Sequence, residues 1–412
     1  MKLILAYKRS ATAVLVLIFS VLLLTQCVNG TNNDEQADAN AMEATFAGSK
    51  SCEGCHKDVY DKHLESAHYL SSQPASAKSI RGNFKEPYNS VAFPNNVKVH
   101  MERSDSSFYQ VEYTGNKETV RQRFEMVIGA GRKGQTFLSW SKSSLVQLPV
   151  FYFAATNKWA NSPGYPDKVV FNRVVTSRCM ECHSTYIKKT SAEEERREEF
   201  DANSIIFGID CEKCHGPAAQ HVEFQTKNPK DTTGGFIIKP QTFSRQQKID
   251  MCALCHGGSM NATQPAFSFK PGDKLFDYYR YNTVVSDVES MDVHGNQYGL
   301  LSLSKCFNKS EMTCNSCHSP HENERGQTKL FSQRCMSCHT EEEHNFCTVK
   351  NVSAATITSD CIGCHMPEQA SKAIVFLEQK TAKPVAANMR SHFIKVYPEA
   401  TKKFLTSDKK SQ

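Results

Sequence analysis

The 412 residues contain no phosphate-binding glycine loop, no His-Glu-x-x-His pair and no Ser/His/Asp set. Nucleotide-phosphate transfer, zincin-type hydrolysis and triad chemistry therefore lack their side chains. No apolar run reaches the roughly 20 residues that a membrane-spanning helix requires; residues Ala11 to Leu24 give only about 14. The formal charge of +6 is too slight to argue for a nucleic-acid partner. What the chain does have is cysteine, 17 residues of it.

Fourteen of these cysteines fall into seven copies of one pattern, Cys-x-x-Cys-His. The copies are Cys52/Cys55/His56, Cys179/Cys182/His183, Cys211/Cys214/His215, Cys252/Cys255/His256, Cys314/Cys317/His318, Cys335/Cys338/His339 and Cys361/Cys364/His365. Composition alone would supply roughly a few hundredths of one copy. In a c-type attachment site the two thiols add to the haem vinyls as thioethers, and the adjacent His becomes the proximal iron ligand. Zinc ribbons and thioredoxin-like pairs also use Cys-x-x-Cys. A zinc ribbon has no reason to set His after every pair, however, and a thioredoxin-like motif occurs once, inside a βαβ unit. The expectation is seven covalently bound haem c groups.

The ends of the chain point to export. Lys2, Lys8 and Arg9 precede the short apolar run, the layout of a secretory signal over residues 1–26. An uncleaved membrane anchor is the alternative reading. The signal closes on Leu24-Thr25-Gln26-Cys27, which is similar to a bacterial lipoprotein signal and makes Cys27 a lipidation candidate, although Gln26 stands where a small residue is usual. The other reading is an ordinary cleaved signal. Polar residues follow, and 27–48 reads as a flexible linker. Export agrees with the motifs, since haem is attached outside the cytoplasm. The expected location is the periplasm, or the membrane surface as a lipoprotein facing away from the cytoplasm. Cys306 and Cys347 remain outside the motifs; an oxidising compartment permits a disulfide between them, and two free thiols is the alternative. Without the signal the charge falls to +3, and two propionates per haem take the loaded protein to about −4 oxidised and −11 reduced.

Six motifs crowd between Cys179 and His365, about 31 residues for each. That is too little chain to build an apolar core around every porphyrin, so the porphyrins themselves are expected to serve as core. Ser244–Cys255 and Phe331–Cys338 read as short helices entering motifs. Thr190–Asn203, with its charged run Glu193–Glu199, reads as a solvated helix or loop. The stretch between the first two motifs differs. Val97 to Glu102 and part of Phe108 to Tyr113 alternate apolar and polar, Gly115-Asn116 signals a turn, and Phe137–Trp140 and Leu145–Phe153 are aromatic and β-branched. The expected fold is mainly α and haem-packed, with short helices and irregular loops, plus a small antiparallel β subdomain over about residues 90–175. Residues 49–178 would form a first haem segment with a β-rich insertion, 179–400 a six-haem cytochrome domain, and 401–412 a tail.

Several elements resemble the cytochrome c-552/c-554 family of multihaem cytochromes. They are Ser51-Cys52-x-x-Cys55-His56-x-x-x-Tyr60 with Ser66-x-His68, Cys211-x-x-Cys214-His215-Gly216-Pro217-x-x-x-His221, Met312-Thr313-Cys314-x-x-Cys317-His318-x-Pro320-His321, and Cys361-x-x-Cys364-His365-Met366-Pro367. The resemblance runs from about Ser51 to Pro367 and implies a mostly helical, haem-packed fold that carries electrons. The wider superfamily also holds reductases and hydroxylamine oxidoreductases, so the resemblance leaves catalysis open.

Eight histidines lie outside the motifs: His63, His68, His100, His221, His294, His321, His344 and His392. They are enough to give every iron a second imidazole. His221 and His321 follow motif histidines so closely that each would serve a neighbouring haem. His63 and His68 are five apart and about 140° around a helix from one another; the family pattern favours His68, leaving His63 as the spare. His100 alternates onto the polar face of its strand. The expected distal set is thus His68, His100, His221, His294, His321, His344 and His392, with Met366 excluded because it sits on the proximal side of its own haem. The functional expectation is electron transfer between redox partner proteins, other cytochromes or a membrane oxidoreductase, with lipid-anchored membrane association and no nucleic acid. The alternative is a reductase of a small nitrogen or sulfur oxyanion at one open haem. Cys-x-x-Cys-Lys, which marks the catalytic haem of some nitrite reductases, is absent.

Overall fold

Strand pairing begins almost as soon as the first motif ends. The computed structural model describes residues 45–408 apart from 166–167, 194, 282–290, 351 and 378–382. The signal segment, Cys27, the linker up to residue 44 and residues 409–412 lie outside the described residues. A 3-10 turn at Ser49–Cys52 leads into α1 (Glu53–Leu64). Eleven strands follow: β1 (Ser72–Pro74), β2 (Ser90–Phe93), β3 (Val97–Ser104), β4 (Ser107–Thr114), β5 (Lys117–Arg123), β6 (Met126–Ile128), β7 (Gly134–Ser141), β8 (Ser144–Gln147), β9 (Val150–Phe153), β10 (Lys158–Asn161) and β11 (Arg173–Val174).

The alternating segments pair as their pattern demands. β3 and β4 run antiparallel from Val97↔Thr114 to Ser104↔Ser107, and Gly115, at φ 61°, turns the chain into β5. Val99 and Met101 of β3 are buried while Lys98 faces out, so one face of the sheet β2-β3-β4-β5 is apolar. That face closes on Val127, Phe137 and Trp159. The second sheet is ordered β1-β6-β7-β8-β11, with β9 bridging β7 to β10.

Beyond β11 the motif helices are short and interleaved with further strands. α2 (Ser177–His183), β12 (Ser184–Tyr186), β13 (Ile206–Phe207), α3 (Cys211–His215), α4 (Ala219–Lys227) and α5 (Arg245–His256) come first. Then come β14 (Met260–Ala262), β15 (Tyr279–Tyr281), α6 (Gln297–Leu301), α7 (Lys305–Asn308), α8 (Thr328–Met336), α9 (Ala354–Ser359) and α10 (Cys361–His365). β16 (Glu368–Leu377), β17 (Pro384–Arg390) and α11 (Pro398–Asp408) end the described chain. α5 is the helix expected before the fourth motif, and a capping box between Ser244 and Gln247 fixes its start. The charged stretch after Thr190 is largely exposed and irregular; Arg197 donates to Ser141 Oγ at 2.7 Å, Glu198 accepts from Ser177 N, and a bridge joins Lys189 to Phe200.

The expectation of a mainly α fold is overturned. The described residues form a mixed α/β structure with five sheets and 17 strands. The β region expected over 90–175 is there, but it is not a minor insertion. Its sheets recruit β1 from before residue 90, and the hairpin β16–β17 packs Phe376 on Phe151 and Phe153. The physical reason is that short strands such as β12–β13 and β14–β15 gain their hydrogen bonds from distant partners, which leaves little local alternation to read. The motif helices stay short because a motif needs only one helical turn.

Candidate haem-binding sites

One turn of helix explains the motif. Positions i, i+3 and i+4 share a helix face, so both thiols and the imidazole of Cys-x-x-Cys-His project to one side. His318 N donates to Cys314 O and His339 N to Cys335 O, each at 3.0 Å, which closes that turn. The residue before the first cysteine often caps it: Asp210 accepts from Cys211 N at 2.8 Å, Asp360 from Gly363 N at 2.9 Å, and Thr313 forms a capping box with Ser316.

Three pairs of imidazoles face each other at the same spacing. His68 and His256, His215 and His321, and His318 and His392 each have ring centres 6.2 Å apart, with interplanar angles of 59°, 15° and 31°. Rings in contact would lie closer. An imidazole nitrogen about 2 Å from a metal and about 1.1 Å from its own ring centre puts two trans rings roughly 6.2 Å apart. The residues present therefore fit a haem iron held between two histidines. In each pair one histidine belongs to a motif and the other was expected as a distal ligand. His294 lies near His183 as well; burial, with His294 as a further electrostatic cause, lowers His183 to about 4.

Protonation states suit this role. Burial holds His68, His294, His318 and His321 below the ordinary imidazole value, and takes His256 and His392 down to about 4. Near neutral pH these rings are neutral and carry a lone pair for iron. Four motif histidines are held at Nδ1, which leaves Nε2 for the metal. His215 Nδ1 lies 3.0 Å from Ile238 O, His256 Nδ1 3.1 Å from Gln297 Oε1, His339 Nδ1 3.0 Å from Asn345 O and His365 Nδ1 3.0 Å from Lys395 O.

The other expected ligands fare differently. His221 Nδ1 is 2.8 Å from Gly235 O, and its helix α4 begins with Ala219 N bonded to Thr45 O, beside the first motif. His344 lies in an exposed turn at φ 53°. His100 stands on the face of β3 away from the core, its ring 5.2 Å from Tyr113, and among the described residues no motif histidine pairs with it. His63, the expected spare, is buried, with Nε2 3.6 Å from Asp210 Oδ1. Cys306 neighbours Cys317 and Cys335, whereas Cys347 neighbours Cys364.

Three carboxylates escaped the sequence reading. Glu181, fully buried within the second motif, accepts from Arg178 Nη1 at 2.6 Å, Phe267 N at 2.7 Å and the Tyr279 hydroxyl. Glu212, within the third motif, accepts from Ala47 N, Gly48 N and Ala218 N at 2.8–2.9 Å, which docks residues 45–48 rather than leaving them as linker. Glu324 accepts from Ser319 N at 3.0 Å and pairs with Arg334, whose Nη1 also donates to Cys317 O at 2.7 Å. For Glu181 and Glu212 the signal available in the sequence was an acidic residue inside Cys-x-x-Cys, a position that a purely haem-binding loop does not require; Glu324, outside the motifs, had none.

Residues 157–216, which span the second and third motifs, match the family model described as cytochrome c554 and c-prime. The chain is 25% identical over 203 residues to the multiheme cytochrome MtrA of Shewanella baltica (strain OS185), covering 47% of this chain and 54% of that protein. It thus spans about half the length of the curated relative it matches. Its fold is similar to that of the outer cell wall cytochrome OcwA in its crystal structure, with a TM-score of 0.55 at 17% identity over 87% of this chain and 81% of the other. The motifs, the paired imidazoles and these likenesses make the chain a multihaem c-type cytochrome.

Proposed function

We propose that this chain is an exported seven-haem cytochrome that carries electrons between redox proteins, chiefly through irons ligated by two histidines each. The observation that carries the reading is the set of three imidazole pairs at a common 6.2 Å. When bound, each haem supplies a reversible one-electron couple, and paired imidazoles keep its potential low and its iron closed to other ligands. The protein side chains do the remaining work. His256 and His68 hold the fourth iron, His215 and His321 the third, His318 and His392 the fifth, and His183 and His294 the second. His221 is assigned to the first motif, because α4 docks against residues 45–48. His344 follows the sixth motif directly and serves the sixth or the seventh. The signal over residues 1–26 and a lipid on Cys27 would hold the protein at a membrane, and the outer cell wall cytochrome it resembles supports a location outside the cytoplasm.

The test is pyridine haemochromogen absorbance per protein together with electron paramagnetic resonance of the oxidised form. Seven haems with low-spin signals are expected, and five or fewer haems in matured protein would overturn the reading.

A second reading is favoured at one place only. With His100 on the outer face of its sheet, the sixth and seventh irons share one remaining candidate, His344. One open iron there would suit reduction of a small nitrogen or sulfur oxyanion. A high-spin signal amounting to about one iron in seven and abolished by cyanide or nitrite supports this second reading; its absence sinks it.

A further inference from the structure

Two contacts between motifs skip along the chain, the first motif meeting the third and the second meeting the fourth. Helix α5 carries two cysteines a turn apart, and each meets a different motif. The Cys252 thiol lies beside Cys314 of the fifth motif, and the Cys255 thiol beside Cys182 of the second, whose Sγ is 3.8 Å from Leu254 O of α5. Other bonds repeat the two contacts. Arg178 Nη2, beside the second motif, donates to Leu254 O at 2.8 Å, and Arg245 Nε, at the start of α5, donates to Met312 O at 3.0 Å. Elsewhere the Cys52 thiol meets Cys211, and the Cys335 thiol meets Cys361, where Cys361 N also donates to Ser332 Oγ of α8 at 3.0 Å. Arg334, donating to Cys317 O, joins the fifth motif to the sixth.

A thioether sulfur is bonded to a substituent on the porphyrin rim, so touching sulfurs from two motifs bring two haem edges together. We propose that the haems form a branched array in which the fourth, held by Cys252, Cys255, His256 and His68, lies edge to edge with the second and the fifth. The second haem is then a side arm whose rim meets the fourth, while the sixth and seventh lie at a different end; the third motif reaches the second through Asp210 N and Lys213 Nζ, which donate to Thr185 Oγ1 at 2.9 Å and Thr185 O at 3.4 Å. This rests on the electron-transfer reading above and gives the β region a task. Met180, in the middle of the second motif, is buried among Met126, Leu138 and Leu145 of the second sheet. The sheet therefore seats the side arm and presents it as a port of its own. With haem bound there, an electron passed along the arm would be taken from one external redox protein and handed to another.

The experiment marks the fourth haem optically. His68→Met should replace a bis-His iron by a His–Met iron, raise its potential and give it a near-infrared sulfur-to-iron band that no other haem of this protein has. The midpoint of that band is then titrated in two further backgrounds, Cys179→Ala with Cys182→Ala, lacking the second haem, and Cys361→Ala with Cys364→Ala, lacking the seventh. Loss of a touching neighbour removes its charge, so the midpoint should shift in the first background and hold in the second. A midpoint that follows the seventh haem, or neither, overturns the branch. So does a seven-haem His68→Met protein without the band, since His68 then does not serve the fourth iron. Five or fewer haems in the matured wild type is the separate failure of the underlying reading. Should the cysteine variants not accumulate, His294→Ala opens the second iron to cyanide, and cyanide must then move the band's midpoint for the proposal to stand.

Discussion

Glu181 occupies one of the two positions that the motif leaves unspecified, and the protein uses it to hold three elements. Its carboxylate takes Arg178, the backbone at Phe267 and the Tyr279 hydroxyl, all in the interior. Arg178 in turn lies over the Tyr279 ring and donates to Leu254 O. Removing a buried acceptor leaves its donors unsatisfied, which costs more than the bond contributed. Glu181→Ala should therefore destabilise the protein by about 3 kcal/mol, with unchanged haem content, and urea unfolding followed by loss of low-spin absorbance measures it. A change under about 0.5 kcal/mol would mean that the cluster is ornamental. The imidazoles teach the same lesson at single residues. His63 and His68 share a neighbourhood, yet only His68 faces a motif ring, because His63 is turned toward Asp210.

At the level of elements, two devices set the distance between motifs. Gly208, at φ 72°, passes so close to the chain after α1 that a Cβ there would lie 2.2 Å from Tyr69 O, and the next residue, Ile209, donates its N–H to His68 O at 2.8 Å. Gly208→Ala should cost about 2 kcal/mol or more and push His68 off its partner, seen as a new high-spin signal from one haem. The second device is the Glu324–Arg334 pair between the fifth and sixth motifs. The Arg334 hydrogen bond holds the Glu324 carboxyl below the ordinary carboxylate value. A lowered folded-state pKa gives stability that is present above the unfolded value of about 4.3 and lost as pH falls through the folded one. Denaturation midpoints measured against pH should fall below about pH 4 in the wild type, and Glu324→Gln should flatten that acid limb. An unchanged limb would remove the pair from the account of acid stability.

Across the whole molecule, the β region and the haem-binding region are fastened together rather than strung in series. The hairpin β16–β17 leaves the seventh motif, packs Phe376 against Phe151 and Phe153 at ring-centre distances of 5.9 and 4.5 Å, and returns to His392, which faces His318. Phe376→Ala should cost about 3 kcal/mol, and the loosening should reach His392. Hydrogen exchange is expected to rise in the hairpin, and the fifth iron is expected to become partly high-spin. Faster exchange with no change in spin state would separate the hairpin from the ligand it leads to.

The sequence by itself determined the chemistry. Cys-x-x-Cys-His is a local pattern, complete within one helical turn, so seven copies could be read without any tertiary information. The long alternation of β3 and β4 was legible for the same reason, since strand periodicity is written along a single segment. Tertiary structure decided what depends on meeting. Which imidazole faces which motif, which thiols touch, and why the short strands pair are all set by residues far apart in the chain, and local pattern carries no record of them. That is why a mainly α fold was expected and a mixed one found. It is also why His100, with the same imidazole as His68, ended on an outer sheet face while His68 came to stand opposite His256.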